Sequence, residues 1–453
     1  MKNTMMIAMM ALLLVALAGC EDAGGTGKSG GSDGDTDGDG DGDADGDADS
    51  DADSDADTDT GMPSGSATVH GTVMAPSGTF PIPGALVYLT GESVQGVGNS
   101  NPIPDGIFCY ECDDMTGKKW TLSNADGTFT LEQVPAGTWR LVTRKGYFRR
   151  IVEIDVADDQ VLDVAQSLTT LPTDNSADGA DRIPAYAVAL NSWDRSQDLL
   201  AKLGIADLNS SGNVVFGTEN FDIYNSDMTQ TGYPGVAEVY ASLESMSQYH
   251  MIFMPCTSST QKTITLSNDA KKQQIRQYVA GGGKYYGSCY AYDWVEQPFP
   301  AMIEFRGNDA QMGSATLGSY NTNTLLPDEQ MRDWMAVVAP ASDPDHFQVT
   351  GAWVVAERVD NVDNGMGLEE DDGWVIPKVW AWDKQPALGW NCQGINNWCP
   401  MTVTYNFGCG KVFFSAYHVV ESSSSQQIRP QEYVLLYLIL EIGVCEGEYV
   451  DIE

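Results

Sequence analysis

Aspartate stands at every odd position from Asp33 to Asp59, and Gly, Ala, Ser or Thr stand between these aspartates. A segment without apolar side chains cannot bury enough surface to offset the entropy lost on ordering. Its negative charges also repel one another, so a flexible coil of about 40 residues, spanning roughly 35 Å, should extend further. We therefore expect residues 20–63 to be a disordered tether and the folded part to begin near residue 64.

Calcium binding is the alternative reading of this tract, since Asp35, Asp37 and Asp39 match the start of an EF-hand loop. The twelfth position of that loop is Gly46, where a bidentate Glu is required, so we expect a solvated spacer. A second acidic run, at residues 360–372, poses the same choice between Ca²⁺ ligands and a solvated loop. We predict no other metal and no cofactor.

The N-terminus has the pattern of a secretory signal, with Lys2, an apolar run from Met5 to Ala18 and small residues before Cys20. The run is shorter than the roughly 20 residues that a spanning helix needs. Leu17-Ala18-Gly19-Cys20 resembles the lipobox of bacterial lipoproteins. That resemblance implies that residues 1–19 are removed and that Cys20 carries lipid. We expect an extracytoplasmic protein at the outer membrane or cell surface, and an ordinary secretory signal is the alternative.

The formal net charge is −40, of which the aspartates of the tract supply −14 and the rest of the chain −26. Such a chain repels nucleic acid phosphates, so we predict no nucleic acid partner. The partners we expect are a membrane, held through the N-terminal lipid, and an unidentified protein, peptide or carbohydrate ligand.

The chain has nine cysteines, and the eight besides Cys20 form an even set, which in an exported protein indicates disulfides. Close spacing predicts two local bridges, Cys109–Cys112 and Cys392–Cys399. The remaining four could pair as Cys256–Cys289 and Cys409–Cys445, although a sequence does not fix connectivity. For Cys109 and Cys112 there are two alternatives. One is a redox dithiol, which requires a helix N-terminus, and the other is a zinc site, which requires two more ligands.

Between residues 64 and 170 short apolar runs alternate with Gly- and Pro-rich turns, which is typical of an antiparallel β-sandwich. We predict strands at Ala67–Val73, Ala85–Leu89, Thr128–Leu131, Trp139–Thr143 and Ile151–Val156. The segment resembles the carboxypeptidase regulatory-like domain, a transthyretin-like sandwich. The motifs that carry this likeness are Gly71-Thr-Val73, Pro83-Gly84-Ala85-Leu-Val87, Asp126-Gly127-Thr-Phe129 and Val134-Pro135-Ala-Gly137. Such domains are usually non-catalytic.

From residue 184 to 446 strands alternate with helical patterns, which indicates a parallel sheet with crossover helices. Predicted strands include Tyr186–Leu190, His250–Met254 and Lys284–Tyr286. Predicted helices are Asp194–Leu203, Val236–Met246, Asn268–Ala280 and Tyr433–Ile442. Strands should predominate after residue 348, and residues 305–345 fit no clear pattern.

This second part resembles the class I glutamine amidotransferase-like superfamily, which has a flavodoxin-like fold and includes trehalose-utilisation-type proteins. The likeness rests on a strand ending at Pro255-Cys256, on Gly287-Ser288-Cys289-Tyr290-Ala291 and on the segment from Phe407 to His418. In this family the second motif is a nucleophile elbow, and the third ends in a catalytic histidine. The fold class that we predict is therefore a disordered tether, a β-sandwich and a flavodoxin-like α/β domain.

The resemblance implies that Cys289 could be a nucleophile and His418 its base, with Glu421 or Glu432 orienting the imidazole. The family's acid follows the histidine by two residues, and here that position is Val420. A disulfide to Cys256 would also remove the nucleophile. We therefore expect a non-catalytic binding or display role, and the alternative is a cysteine-dependent amidase or hydrolase using Cys289 and His418.

Tryptophans cluster between residues 374 and 398. They could form a platform for a sugar or a peptide. Alternation along predicted strands favours packing in the core instead.

Overall fold

A computed structural model describes residues 64–441, except 111, 309–310, 342, 360–361, 364–373, 376, 385–391, 394 and 421–424. Cys20, the tether, Glu421, Cys445 and most of the acidic run at 360–372 lie outside the described residues. Among the helices that are described, none combines the length and apolar character needed to cross a bilayer.

Seven short strands form the first part of the chain as two sheets. They are β1 Ala67–Thr72, β2 Leu86–Thr90, β3 Lys119–Leu122, β4 Thr128–Val134, β5 Gly137–Lys145, β6 Phe148–Val156 and β7 Val161–Asp163. The strand orders are β4-β1-β7 and β3-β2-β5-β6. Val69 and Phe129 of the first sheet share one buried cluster with Val87 and Leu141 of the second. The two sheets therefore pack against each other, and each of the five strands predicted here overlaps an observed one.

The long segment between β2 and β3 covers the outer face of the four-stranded sheet. It contains a short helix, α1 Val94–Ser100, which the Gly-rich sequence did not reveal. Val97 and Met115 from this segment pack on Tyr88 and Val142 of the sheet. A further short helix, α2 Gln166–Thr169, follows β7. Because the covering segment supplies buried side chains of its own, the sheet is buried on both faces.

Among the described residues of the second part, thirteen strands and seven helices follow. The strands are β8 Tyr186–Leu190, β9 Asp222–Asn225, β10 Met251–Met254, β11 Lys284–Ser288, β12 Ile303–Phe305, β13 Leu317–Leu325, β14 His346–Val354, β15 Ala356–Val359, β16 Val362–Asp363, β17 Trp374–Val375, β18 Lys378–Asp383, β19 Cys399–Phe407 and β20 Gly410–Ser415. The helices are α3 Ser196–Leu203, α4 Leu243–Ser247, α5 Ser259–Leu266, α6 Asp269–Ala280, α7 Asp293–Glu296, α8 Glu329–Val338 and α9 Pro430–Leu440.

Nine of these strands form one mixed sheet in the order β14-β13-β18-β19-β20-β11-β10-β8-β9. The five strands from β20 to β9 are parallel, and β19, β18, β13 and β14 extend the sheet with antiparallel pairing. Two groups of helices pack beside it, α3 with α8 and α9, and α4 with α5, α6 and α7. The strands β8, β10 and β11 are buried at every residue, as parallel strands covered by helices usually are.

The predicted helices differ from the structure where local capping intervenes. Asn268 caps α6 by accepting from the Ala270 N–H, as the pattern indicates. The predicted helix Val236–Met246 is wrong in its extent, because Ser242 is extended and caps a separate helix, α4. Only a 3-10 turn, Val236–Glu238, precedes that cap. Polar residues with a local acceptor can thus divide an apolar pattern into two short elements.

The disulfides tie the first part of the chain to the second. Cys109 is bonded to Cys409, 300 residues away, and Cys112 is disulfide-bonded as well. The predicted pairs Cys109–Cys112 and Cys409–Cys445 are therefore wrong, whereas the Cys392–Cys399 bridge is present. The reason is that the covering segment docks on the α/β part, where the Ile107 N–H donates to the Ser247 carbonyl.

His250 is buried at the contact between the covering segment and the α/β part. His250 is 3% exposed, its Nδ1 accepts from the Ala185 N–H and its Nε2 donates to the Pro104 carbonyl. Burial lowers its pKa to about 4; the Pro104 bond opposes that shift, and the Lys284 charge adds to it. Protonation at Nδ1 would replace an accepted hydrogen bond by repulsion.

We expect acid to destabilise the protein through His250. In the unfolded chain its pKa is near 6.5, so the unfolded state binds more protons as pH falls below that value. The free energy of unfolding should therefore fall by about 2 kcal/mol between pH 7 and pH 5 through this group. Urea unfolding of the wild type and His250→Gln measures the difference in pH dependence. His70→Gln, which removes a partly exposed imidazole, is the control, and equal slopes for the two variants would contradict the assignment.

Candidate functional site

The carboxyl ends of the five parallel strands bring polar and sulfur-bearing residues to one edge of the sheet. Asp194 follows β8, Asp227 follows β9, Cys256 follows β10, Cys289 follows β11 and His418 follows β20. Since β8 lies between β9 and β10, the crossovers leave β8 in opposite directions. Open α/β sheets bind ligands at such switch points.

Cys256, Cys289 and His418 form a cluster at this edge. One donor atom of each residue, the two Sγ atoms and a ring nitrogen, lies within 4.8 Å of the others. Both cysteines are free thiols in the structure, so the Cys256–Cys289 bridge considered from the sequence is not formed. The structure thus brings the predicted pair Cys289 and His418 together and adds Cys256 to them.

The two thiols differ in access. Cys289 is fully buried at the turn after β11, where it adopts a positive φ of 52°. Cys256 is 6% exposed and lines the neighbouring cleft. Cys256 is therefore the thiol that a ligand meets first, although the sequence motif pointed to Cys289. The overlooked signal was the position of Cys256, which follows a buried strand and precedes Ser258, the N-cap of α5.

The two thiols differ in pKa. The bond from Cys289 lowers the pKa of Cys256 to about 6; burial opposes this shift, and His418 and the Tyr290 N–H reinforce it. Burial, and after it the interaction with Cys256, raises the pKa of Cys289 well above its usual range. Of the two thiols, Cys256 is therefore the more readily deprotonated.

Asp194 holds the cluster's framework together. Its carboxylate accepts from the Ser288 hydroxyl at 2.5 Å and from the Val420 N–H at 2.9 Å. Ser288 in turn accepts from the Cys256 N–H at 3.1 Å. Burial raises the pKa of Asp194, whereas the His418 charge and the two hydrogen bonds lower it. Asp194 therefore links the segments that carry all three cluster residues.

Glu432, proposed from the sequence to orient His418, is engaged elsewhere. It is buried in the first turn of α9 and binds Lys202 Nζ at 2.7 Å and Arg429 Nε at 3.2 Å. We assign Glu432 to anchoring α9 against α3. The acid whose charge acts on His418 is Asp194, which the sequence reasoning missed because it precedes His418 by more than 200 residues.

A cleft of about 470 Å³ opens above the cluster. Aromatic side chains dominate its mouth, and the lining residues are Trp193, Cys256, Thr257, Ser258, Ser259, Tyr290, Leu317, Trp353 and His418. Asp227 fixes one wall by accepting from the Ser258 N–H at 2.6 Å and the Thr257 hydroxyl at 2.9 Å. Apolar walls around a few convergent polar groups are typical of small-molecule sites.

The tryptophans suggested from the sequence as a platform lie elsewhere where they are described. Trp380 and Trp382 are each 8% exposed and belong to the main buried cluster. Trp380 packs on Tyr437, and Trp382 on Trp398. Trp390 lies outside the described residues. The exposed aromatic residue at the cleft is Trp193, which is 49% exposed.

A second cavity, of about 520 Å³, lies beside α8 and β14. Its lining includes His346 and Asp343, which pair at 2.9 Å. Because His346 already pairs with Asp343 and no cysteine is among the described residues that line this cavity, we place the candidate site at the cleft over Cys256.

Comparisons with known proteins leave the family open. No family model and no curated protein matches the sequence. A protein of Pseudomonas aeruginosa described as a candidate carbohydrate-binding protein matches 24% of this chain and 89% of its own, at 12% identity and a TM-score of 0.18. A catalytic mutant of a GH42 β-galactosidase from G. stearothermophilus matches 58% of this chain and 31% of its own, at 8% identity and a TM-score of 0.28. A β-galactosidase from Bacillus circulans sp. alkalophilus matches 57% and 31%, at 10% identity and a TM-score of 0.27. The chain thus spans about a third of these galactosidases, and such low scores assign neither family nor function.

Proposed function

We propose that this chain is an extracytoplasmic protein, lipid-anchored through Cys20, whose α/β part is a cysteine-dependent amidase or related acyl hydrolase. Cys256 is the nucleophile and His418 the base. The observation that carries this proposal is the Cys256 thiol at the floor of an open cleft, within 4.8 Å of the His418 ring nitrogen. Nucleophile and base must lie within hydrogen-bond reach, and in the absence of ligand that contact is often loose.

The order of the parallel strands supports the family resemblance on which this proposal draws. Numbered along the chain, the strands β9-β8-β10-β11-β20 have the order 2-1-3-4-5, which is that of flavodoxin-like sheets. The positive φ of Cys289 is also typical of a tight strand-to-helix turn. The residue at this turn is nonetheless fully buried, so the proposal transfers the nucleophile from Cys289 to Cys256.

The chemistry follows from the contacts of Cys256. His418 takes the thiol proton of Cys256, and the resulting thiolate attacks the carbonyl carbon of a bound amide or ester, which forms a C–S bond and a tetrahedral oxyanion. The Tyr290 N–H, which donates to the Cys256 sulfur, is a backbone donor at hand for that oxyanion. The C–N or C–O bond then breaks, and the leaving group takes a proton from His418. His418 then deprotonates a water molecule, which attacks the thioester. The C–S bond breaks, the acid is released, and Cys256 takes the proton back from His418.

A non-catalytic binding or display role is the second candidate. The aromatic mouth of the cleft favours it, because Trp193, Trp353 and Tyr290 offer faces for a peptide or a sugar ring. The two roles differ in one property that can be measured, since a binding module needs no reactive thiol.

Acylation of the full chain by p-nitrophenyl acetate, after treatment with a chelator, tests the proposal. We expect a burst of p-nitrophenol and an acetyl group on Cys256 in peptide maps. Cys256→Ser should abolish the burst, and His418→Gln should slow it by about 10²- to 10⁴-fold. His346→Gln is the matched control, since its ring pairs with Asp343 away from the cleft. An unmodified Cys256, or a map showing Cys256 bonded to Cys289, would exclude the hydrolase.

A further inference from the structure

We infer that Cys256, Cys289 and His418 form a three-ligand site for a zinc-class metal ion, whose fourth position faces the cleft. The inference goes beyond the proposed hydrolase and does not depend on it. It rests on the donor set, the geometry and the charge of this cluster.

The donor types select the metal. Two thiolates and one imidazole are the ligands that Zn²⁺ and Cu⁺ prefer, whereas Ca²⁺ and Mg²⁺ take oxygen ligands. A tetrahedral arrangement of sulfur and nitrogen donors is typical of zinc. We therefore assign the site to zinc rather than to the calcium considered for the acidic segments.

The spacing is close to that of a loaded site. Zinc lies about 2.3 Å from sulfur and about 2.0–2.1 Å from nitrogen, so tetrahedral donors stand roughly 3.5–3.8 Å apart. The three donor atoms here lie within 4.8 Å of one another, so closure needs a shift of at most about 1 Å. Such a shift requires side-chain rotation alone.

The backbone that carries the ligands is already fixed. They follow β10, β11 and β20, which are adjacent strands of the parallel sheet. The Cys256 N–H is held by Ser288, and the His418 carbonyl accepts from Gln431 Nε2. Ligands on rigid, neighbouring strands retain their geometry when the metal is absent.

The loaded cluster itself carries no net charge. Two thiolates neutralise one divalent ion, which removes the cost of a buried net charge. The nearby cation Lys262 is paired with Asp293 at 2.5 Å, so its charge is already matched. The Asp194 oxygens accept from Ser288 and Val420, which leaves the three cluster residues as the ligands.

The open side of the site faces the cleft. Cys256 and His418 line the cleft, and Cys289 lies fully buried behind them. Three protein ligands with an open fourth position are typical of catalytic rather than structural zinc sites. A metal-bound Cys256 cannot also be a free nucleophile. Zinc loading and thiol chemistry are therefore mutually exclusive states of this site.

Cobalt titration of the reduced full-length protein tests the site directly. Co²⁺ should bind one per chain and produce a thiolate-to-cobalt charge-transfer band, which Zn²⁺ removes by competition. Binding displaces the S–H protons that the metal-free site still holds, which a weakly buffered pH titration counts. Co²⁺ bound by carboxylate oxygens alone gives no thiolate charge-transfer band, so the band reports on the cysteine ligands.

Single variants separate this site from other binding. Cys256→Ser, Cys289→Ser and His418→Asn should each weaken zinc binding by at least about 100-fold in competition with a chelator. His70→Asn, which replaces a partly exposed histidine on β1, should bind zinc as tightly as the wild type does. Zinc should also protect Cys256, the thiol that lines the cleft, from iodoacetamide in the folded wild type. Absence of the charge-transfer band, or protection that persists in His418→Asn, would overturn the assignment. The acylation test uses metal-free protein, so either proposal can fail without the other.

Discussion

Replacing Lys202 with methionine is expected to lower the free energy of unfolding by about 3–5 kcal/mol. Lys202 and Glu432 form an ion pair at 2.7 Å in which both side chains are 1% exposed. Removal of the lysine leaves the Glu432 carboxylate buried with only its partly exposed neighbour Arg429. Urea denaturation followed by fluorescence and circular dichroism measures the change.

Two variants define what that loss means. Lys202→Met combined with Glu432→Gln should regain most of the stability, since the amide oxygen can still accept from the Arg429 N–H and no charge remains buried. Lys272→Met removes the partly exposed partner of the exposed Asp269 and should leave the denaturation midpoint nearly unchanged. If Lys202→Met resembles Lys272→Met, the buried pair does not hold α3 against α9.

Loss of the Cys109–Cys409 disulfide is expected to destabilise the protein by about 2–5 kcal/mol. The bridge closes a loop of 300 residues, so its removal frees many conformations of the unfolded chain. In the folded protein it holds the covering segment against the turn after β19. The double variant Cys109→Ala/Cys409→Ala, compared with the wild type by thermal and urea unfolding, measures this contribution.

The second bridge supplies the comparison. Cys392–Cys399 closes a loop with a separation of seven residues, so its removal should cost less. The Cys109→Ala/Cys409→Ala variant should also become sensitive to proteolysis near residues 101–110, because the contact of Ile107 with Ser247 is no longer reinforced. If Cys392→Ala/Cys399→Ala and Cys109→Ala/Cys409→Ala lose equal free energy of unfolding, the loop-length argument is contradicted.

The sequence predicted the elements better than their connections. Apolar runs such as Tyr186–Leu190 coincide with their strands because a strand that is buried on both faces has a continuously apolar sequence. The strand β9 was missed because Ile223 is its one buried residue, as suits the edge of a sheet. The Cys109–Cys409 pair could not be predicted, because its proximity depends on how the covering segment docks.

The candidate site was predicted in part for a related reason. Motif position identified Cys289 and His418, and the structure brings them together with Cys256. Which thiol faces a ligand depends on the tertiary structure, in which Cys289 is fully buried and Cys256 lines the cleft. Asp194 follows a different strand from His418, so no local sequence spacing predicts the charge interaction between them.

The 300-residue span of the first disulfide also bears on the order of folding. A chain is synthesised from its N-terminus at about 5–20 residues per second, so Cys109 precedes Cys409 by roughly 15–60 s. During that interval Cys112, Cys256, Cys289, Cys392 and Cys399 are synthesised, and pairing of Cys109 with any of them would be non-native. The native bridge must therefore be selected by a sheet in which β20 already lies beside β11, and oxidation should be the closing event of assembly rather than its guide.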